Sequence, residues 1–220
     1  MSVRPAGIAL SALFAIVALL PAAAAAQGDF EGTVTMRLQQ GHEMQYSMRG
    51  GKIRVDMSGQ GRQMAMIMDP ATHTAIMLMP AQQMYMQMPM HDMEGAIAEH
   101  REKYQLTRTG KSEVVAGHEC AYWHVHEKGG DASDDADVCI ASDLGKFFAF
   151  QNPMRRGAAP AWQSSLRDAD GFPLKIVEVR DGQPVTTLEV TKIERKSLAP
   201  AMFEAPAGYR KMEMPNMGHE

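Results

Sequence analysis

The chain has 220 residues, 20 of which are methionine, and a formal net charge of −4 at pH 7. This length suffices for one domain with a core of its own. The mildly acidic charge and the lack of a basic patch interleaved with aromatic residues argue against nucleic acid as a partner. No motif of a serine hydrolase, a zinc protease or a phosphate-binding loop occurs, so we expect a non-enzymatic protein.

The first 26 residues have the pattern of a secretory signal peptide. Arg4 precedes an apolar run from Gly7 to Leu20, and Ala22 to Ala26 offer small-residue cleavage points. The apolar run is shorter than the ~20 residues that span a bilayer, so the chain is not expected to span a membrane after cleavage. We therefore predict a protein of the periplasm or one that is secreted, with a β domain over residues 27–199 and a Pro- and Met-rich tail over 200–220.

Short alternating segments separated by turn residues begin near residue 33. Gly50-Gly51 is a two-residue hairpin signal, and Asp69-Pro70 is a turn-forming pair. Strands joined by such short turns form an antiparallel meander. The predicted strands of this part are Thr33–Leu38, Glu43–Arg49, Lys52–Met57, Arg62–Met68, His73–Met79 and Gln83–Met88.

The pattern changes after this meander. Asp92 is a candidate N-cap for a short helix between Met90 and Tyr104, and the apolar segment Leu144–Phe150 is a candidate for a second helix. Strands resume around these segments. They are predicted at Lys111–Val115, Glu119–Glu127, Val138–Ala141, Pro173–Arg180 and Val185–Arg195.

The methionines recur at every second residue in two of the predicted strands. A period of two places side chains on one face of a strand, so we expect a sheet with one thioether-coated face. Because methionine repacks easily, such a face is a candidate site for an apolar or lipid-like small molecule. The same side chains can equally be an ordinary core. The candidate ligand-binding residues are Met64, Met66, Met68, Met84, Met86 and Met88.

Two short segments resemble each other, because each has Met-x-Met-Pro followed by another Met and a His. Thioethers and imidazole are ligands of Cu(I), so these segments, which we expect in a loop and in the tail, are a candidate Cu(I) site. Oxidant scavenging by exposed thioethers is a further alternative. The candidate ligands are Met86, Met88, Met90, His91, Met212, Met214, Met217 and His219.

Two other pairs of residues are candidates for a disulfide bond and for metal binding. Cys120 and Cys139 are the two cysteines, and in an exported chain a structural disulfide between them is the expectation. His124 and His126 lie on one face of a predicted strand, which is compatible with a metal, but the sequence identifies no third ligand, so partly exposed surface histidines are the expectation. The acidic residues near Asp135 lack the spacing of an EF-hand and predict a solvated loop.

Five short motifs occur in order along the chain: Phe30–Gly32, Gly50–Arg54, Met68–Asp69, Gly117–Cys120 and Phe203–Tyr209. This order resembles a family of exported bacterial proteins of unknown function that is similar to the lipoprotein carriers LolA and LolB. The resemblance implies a mainly β fold: a curved antiparallel sheet, an unclosed half-barrel, with one or two small helices on the concave side. It implies no catalytic residues, and a shared fold does not by itself transfer the carrier function.

Overall fold

The computed structural model describes residues 30–59, 62–90, 104–130, 135–145, 147, 166, 171–180 and 182–213. The described strands form one 12-stranded sheet in the order β12-β6-β5-β4-β3-β2-β1-β11-β10-β9-β8-β7. Neighbouring strands pair antiparallel except β12, which runs parallel to β6. The predicted mainly β, unclosed and curved sheet is confirmed.

The strand boundaries follow the alternating segments of the sequence. Gly50 and Gly51 have φ values of 54° and 78°, the left-handed backbone that a two-residue hairpin between β2 and β3 requires. The strands are β1 Gly32–Leu38, β2 Glu43–Arg49, β3 Lys52–Gly59, β4 Arg62–Asp69, β5 Thr74–Met79, β6 Met84–Pro89, β7 Tyr104–Val115, β8 His118–Glu127, β9 Ala136–Ala141, β10 Phe172–Arg180, β11 Gln183–Arg195 and β12 Arg210–Met212.

The sheet curves around one main hydrophobic cluster. Tyr46 of β2 and Phe172 of β10 are three strands apart in the sheet order. Three steps across a flat sheet span about 14 Å at ~4.8 Å per strand. The two ring centroids nevertheless lie 5.4 Å apart, edge to face, and Phe147 contacts both rings at the same distance. The face that carries these rings is therefore the concave side.

A smaller cluster lies on the opposite, convex face of β4 and β5. Ile67 of β4 alternates with Met66 and Met68, so it points away from the concave side. It packs there against Leu198 and Phe203, which come from the segment that follows β11. We call this segment, residues 197–209, the outer strap. The outer strap therefore buries the apolar side chains on the convex face of β4 and β5.

Arginines of the hairpin formed by β2 and β3 hold the outer strap in place. Arg49 donates a hydrogen bond to the carbonyl of Leu198, and Nη1 of Arg54 donates to the carbonyl of Met202 at 3.0 Å. The backbone N–H of Leu198 donates to Oε1 of Glu31 at 2.8 Å. Three motifs that are distant in sequence, around residues 31, 54 and 203, are therefore parts of one contact.

Local structure differs from the sequence-based expectation in the two Met-x-Met-Pro segments. The strand predicted over Gln83–Met88 is confirmed as β6, which pairs with β5 on one side, so the first similar segment begins in a strand and not in a loop. Arg210–Met212, expected in an irregular tail, form β12 and pair with the other side of β6. The reason is that β6 would otherwise be an edge strand with a row of unpaired backbone donors and acceptors, and β12 pairs with them.

The predicted helices fall mostly outside the described residues. Residues 91–103 and 148–150 are not among them, and Leu144, Gly145 and Phe147, which are, do not adopt helical structure. Within the described ranges, 3-10 conformation occurs at Gln39–Gly41, Pro80–Gln82 and Pro200–Phe203 and at Leu166. No helix in this part of the chain is long and apolar enough to cross a membrane.

Candidate functional site

Strand pairing aligns the methionines of the concave face into rows. Along the first thioether row, Met36 pairs with Met44, Met44 with Met57 and Met57 with Met64, so four neighbouring strands each contribute one sulfur. Cross-strand neighbours of this kind have Cβ atoms about 5 Å apart. The row therefore forms a nearly continuous band of thioether across β1 to β4.

A second thioether row continues in the same direction, two residues further along β4. Met66 pairs with Met77 of β5, Met77 with Met86 of β6, and Met86 with Met212 of β12. The two rows overlap at β4, because that strand supplies Met64 to one row and Met66 to the other. Together they cross seven strands of the concave side.

The six methionines proposed as ligand-binding lie on this face. Met66, Met68, Met86 and Met88 are buried in the main cluster, and Met64 packs against it half-buried. Met84 is also half-buried and pairs with Met79. The alternation seen in the sequence therefore translates into one shared face of the sheet.

Residues that belong to none of the strands also contribute to the main cluster. Leu144 is fully buried, Leu166 is 1% exposed, and Phe147 lies between the rings of Tyr46 and Phe172. All three belong to the same cluster as the thioether rows. The concave side is thus filled in part by apolar side chains of the protein's own connecting segments.

The structure also locates part of the candidate Cu(I) ligand set. Met86, Met88 and Met90 are buried and Met212 is half-buried. Because β12 runs parallel to β6, Met212 lies beside Met86 and the two similar segments begin side by side. The remaining members lie outside the described residues: His91, Met214, Met217 and His219.

The predicted disulfide is present. Cys120 of β8 and Cys139 of β9 are joined across neighbouring strands, with their Cα atoms 5.2 Å apart, and both are buried. Nearby, Glu113 accepts hydrogen bonds from the hydroxyl of Tyr122 at 2.5 Å and from Nζ of Lys175 at 2.9 Å. These two donors hold the pKa of Glu113 below its usual value.

A third candidate site contains the two histidines that the sequence places on one face of a strand and a carboxylate that the sequence does not assign to them. His124 and His126 of β8 lie on one face of the strand, and the carboxylate of Asp135 lies against both rings. One potential ligand atom from each of the three residues falls within 4.8 Å of the others. The register of the β8–β9 hairpin, in which His124 pairs with Asp137, brings Asp135 close to the two histidines. The sequence of the loop between these strands does not define this register, so the sequence alone could not assign Asp135 to the site.

The fold and the concave face define an open antiparallel half-barrel whose inner side is rich in sulfur. The chain belongs to the family described as a domain of unknown function, DUF4412, whose model matches residues 30–209. The predicted resemblance to a family of unknown function is thereby confirmed. No curated protein matches the chain.

Two solved structures are similar to this chain at low sequence identity. An uncharacterized conserved protein from Thermus thermophilus has 11% identity and a TM-score of 0.50, covering 84% of this chain and 91% of its own. A DUF1329 family protein from Desulfovibrio piger has 12% identity and a TM-score of 0.21, covering 80% of this chain and 88% of its own. The first structure shows a shared fold and nothing about function. The TM-score of the second is too low to support any conclusion.

Proposed function

We propose that this is a non-enzymatic, exported protein of the cell envelope that binds an apolar or lipid-like small molecule on its concave face. The observation that supports this most directly is the pair of thioether rows, which give seven strands of an open sheet one continuous, sulfur-rich surface. The buried disulfide fits an oxidising compartment outside the cytoplasm.

Methionine suits a face that must accept ligands of different shapes. Its unbranched side chain has three rotatable bonds, so it adapts at low cost where Leu or Ile would have to shift the backbone. A sheet that needed only a well-defined core would favour β-branched residues. Leu144, Phe147 and Leu166 occupy the concave side in the structure, and we propose that the ligand replaces some of these contacts when it binds.

Burial separates this function from oxidant scavenging. A scavenger needs sulfur atoms that peroxide can reach, whereas Met66, Met68 and Met77 are at most 2% exposed. Apolar binding uses the same sulfurs without requiring that water reach them. The geometry of the described methionines therefore supports ligand binding better than scavenging.

Fluorescence titration of the delipidated protein with a fluorescent fatty acid tests the proposal. We expect saturable binding, and we expect the triple variant Met66→Leu, Met77→Leu, Met86→Leu to bind at least about fivefold more weakly because its face repacks less easily. Leu is close to Met in volume, so each change costs under about 1.5 kcal/mol of stability and the variant still folds.

The matched control is Met202→Leu, which changes a thioether of the outer strap on the convex face. It should bind the fatty acid like the unmodified protein. The proposal is wrong if the delipidated protein binds no more probe than the triple variant, or if the control loses as much affinity as the triple variant does.

A second candidate function is Cu(I) binding at the edge of the sheet. The observation that favours it is the parallel pairing of β12 with β6, which places Met212 beside Met86 and Arg210 beside Met84. Thioethers from both similar segments are thus neighbours, and a few closely spaced thioethers are what Cu(I) coordinates.

Titration with Cu(I) against a competing chelator tests this second function. The double variant Met86→Leu, Met212→Leu should bind at least about tenfold more weakly, because it removes two sulfurs while retaining the volume of the side chains. Met202→Leu again serves as the control. Cu(I) binding weaker than micromolar in the unmodified protein, or unchanged in the double variant, would exclude this function.

A further inference from the structure

We propose that His124, His126 and Asp135 bind a divalent transition-metal ion of the Zn²⁺, Cu²⁺ or Ni²⁺ class. The site would lie on β8 and at the start of β9, away from the thioether rows of β1 to β6 and β12. It is independent of the apolar-ligand and Cu(I) functions proposed above, because it shares no residue with either.

The distances among the three side chains fit a shared ion. Nδ1 of His126 lies 2.6 Å from Oδ1 of Asp135, and Nε2 of His124 lies 3.2 Å from Oδ2 of the same carboxylate. Ligand atoms around a tetrahedral Zn²⁺ ion, each about 2.1 Å from the metal, are about 3.4 Å apart. Small adjustments of the two rings would therefore bring all three groups into coordination distance.

The surroundings of His124 present a conflict that a cation resolves. Its Nδ1 lies 2.9 Å from Oδ1 of Asp137, while its Nε2 lies 3.2 Å from Oδ2 of Asp135. A neutral imidazole has one N–H, so it can donate to one of these carboxylates, and its other nitrogen then directs a lone pair at an oxygen. A metal ion bound to Nε2 and Asp135 would turn that repulsion into two bonds.

With the metal on Nε2, Asp137 takes the role of an orienting residue. Histidine ligands of metals commonly donate their other N–H to a carboxylate, which fixes the ring and raises its basicity. The Nδ1 of His124 and the carboxylate of Asp137 already have this geometry. Asp137 pairs directly with His124 in the ladder between β8 and β9, so backbone hydrogen bonds set its position.

The donor set selects the class of metal. Two imidazole nitrogens and one carboxylate oxygen suit borderline divalent ions, whereas Ca²⁺ and Mg²⁺ prefer oxygen ligands alone and Cu(I) prefers sulfur. The three side chains line a surface cavity of ≈ 480 Å³ together with Gln105, Thr107, Arg108 and Thr109 of β7. This space admits water or an exogenous ligand as the fourth member of the coordination shell.

Titration with Zn²⁺ alone against a chromophoric competing chelator tests the site in the purified, oxidised protein. The double variant His124→Ala, His126→Ala should bind one equivalent less of Zn²⁺ than the unmodified protein. Asp135→Asn, which retains the size of the side chain but removes its charge, should weaken that equivalent at least about tenfold. Co²⁺ should give the visible absorption bands of a four-coordinate ion in the unmodified protein and not in the double variant.

The matched control is His118→Ala. His118 is on the same strand and also contacts a carboxylate, with Nδ1 2.8 Å from Oδ2 of Asp143, but among the described residues it belongs to no group of three potential metal ligands. It should retain the full Zn²⁺ stoichiometry. Near-ultraviolet circular dichroism and the absence of free thiols would show that every variant is folded with its disulfide intact.

Histidines and methionines elsewhere in the chain are common to the unmodified protein and the double variant, so the difference between these two isolates this site. The proposal is overturned if the double variant binds as many equivalents as the unmodified protein, or if His118→Ala loses the same equivalent.

Discussion

The two halves of the sheet use different residues for the same architecture. Strands β1 to β6 contain 12 methionines, whereas strands β7 to β11 contain none. In the second half the main cluster is supplied instead by aliphatic and aromatic residues such as Val138, Ile176 and Phe172. The concave face of this one sheet thus has flexible side chains in one half and stiffer side chains in the other.

The difference extends to the means of support. The half without methionine contains the disulfide between Cys120 and Cys139. The methionine-rich half is braced from outside, where Phe203 of the outer strap packs on Ile67. This arrangement places an adaptable surface where an apolar ligand is proposed and a rigid hairpin where a metal is proposed. Apolar binding tolerates rearrangement, whereas metal coordination requires fixed ligands.

Truncation of one buried side chain in each half is expected to have the largest effect and tests the contrast directly. Leu174 of β10 and Met77 of β5 are 0% and 1% exposed. We expect Leu174→Ala to lower the free energy of unfolding by about 4 kcal/mol and Met77→Ala by about 2–3 kcal/mol, because neighbouring thioethers can collapse into the cavity. Urea denaturation measures both values. Equal costs, or a larger cost for Met77→Ala, would contradict the contrast.

Removal of the disulfide is expected to have the next largest effect. The cysteines are 19 residues apart in sequence, and closing a loop of that length stabilises a fold by about 3 kcal/mol in the chain-entropy model. The double variant Cys120→Ala, Cys139→Ala should lose about this much in urea denaturation.

The same variant distinguishes the two halves functionally. It should weaken Zn²⁺ binding at His124 and His126, since they lie on the bridged hairpin, and leave fatty-acid binding unchanged in conditions where the protein remains folded. Reductant added to the double variant is the control and should have no further effect. Equal losses of both activities would show that the halves are not independent.

Most of the fold could be predicted from the sequence because its signals are local. Alternation and turn residues placed strands β1 to β6 within a residue or two, and the period of two correctly put Met64, Met66 and Met68 on one face. The cysteines indicated the bridge between β8 and β9. Each of these inferences needs only neighbours in sequence.

The features that the sequence did not reveal are long-range. The pairing of β1 with β11 joins residues near the two ends of the domain, and no local pattern specifies it. The outer strap and β12 were expected to be an irregular tail, because Pro and Met at residues 200–220 obscure a short edge strand. Asp135 could not be matched with His126, because the loop before β9 sets which carboxylate returns to the strand.

Acid should destabilise the half without methionine through one ion pair. Hydrogen bonds from Tyr122 and Lys175 lower the pKa of Glu113 in the folded state. The unfolded chain therefore binds a proton at Glu113 more readily than the folded one does, and stability must fall as the pH falls through the folded pKa. The contribution is full above the ordinary pKa of a glutamate and disappears as the pH falls through the lowered pKa of the folded state.

The size of this effect is small, because the Glu113 side chain is 38% exposed and such pairs contribute under about 1 kcal/mol. Glu113→Gln should cost that amount at pH 7 and nothing at a pH below the lowered pKa of Glu113, as measured by urea denaturation at each pH. Glu119→Gln, a change at an exposed carboxylate on the neighbouring strand β8, should cost little at either pH. An equal cost of Glu113→Gln at both pH values would show that its hydrogen bonds, and not its charge, stabilise the hairpin.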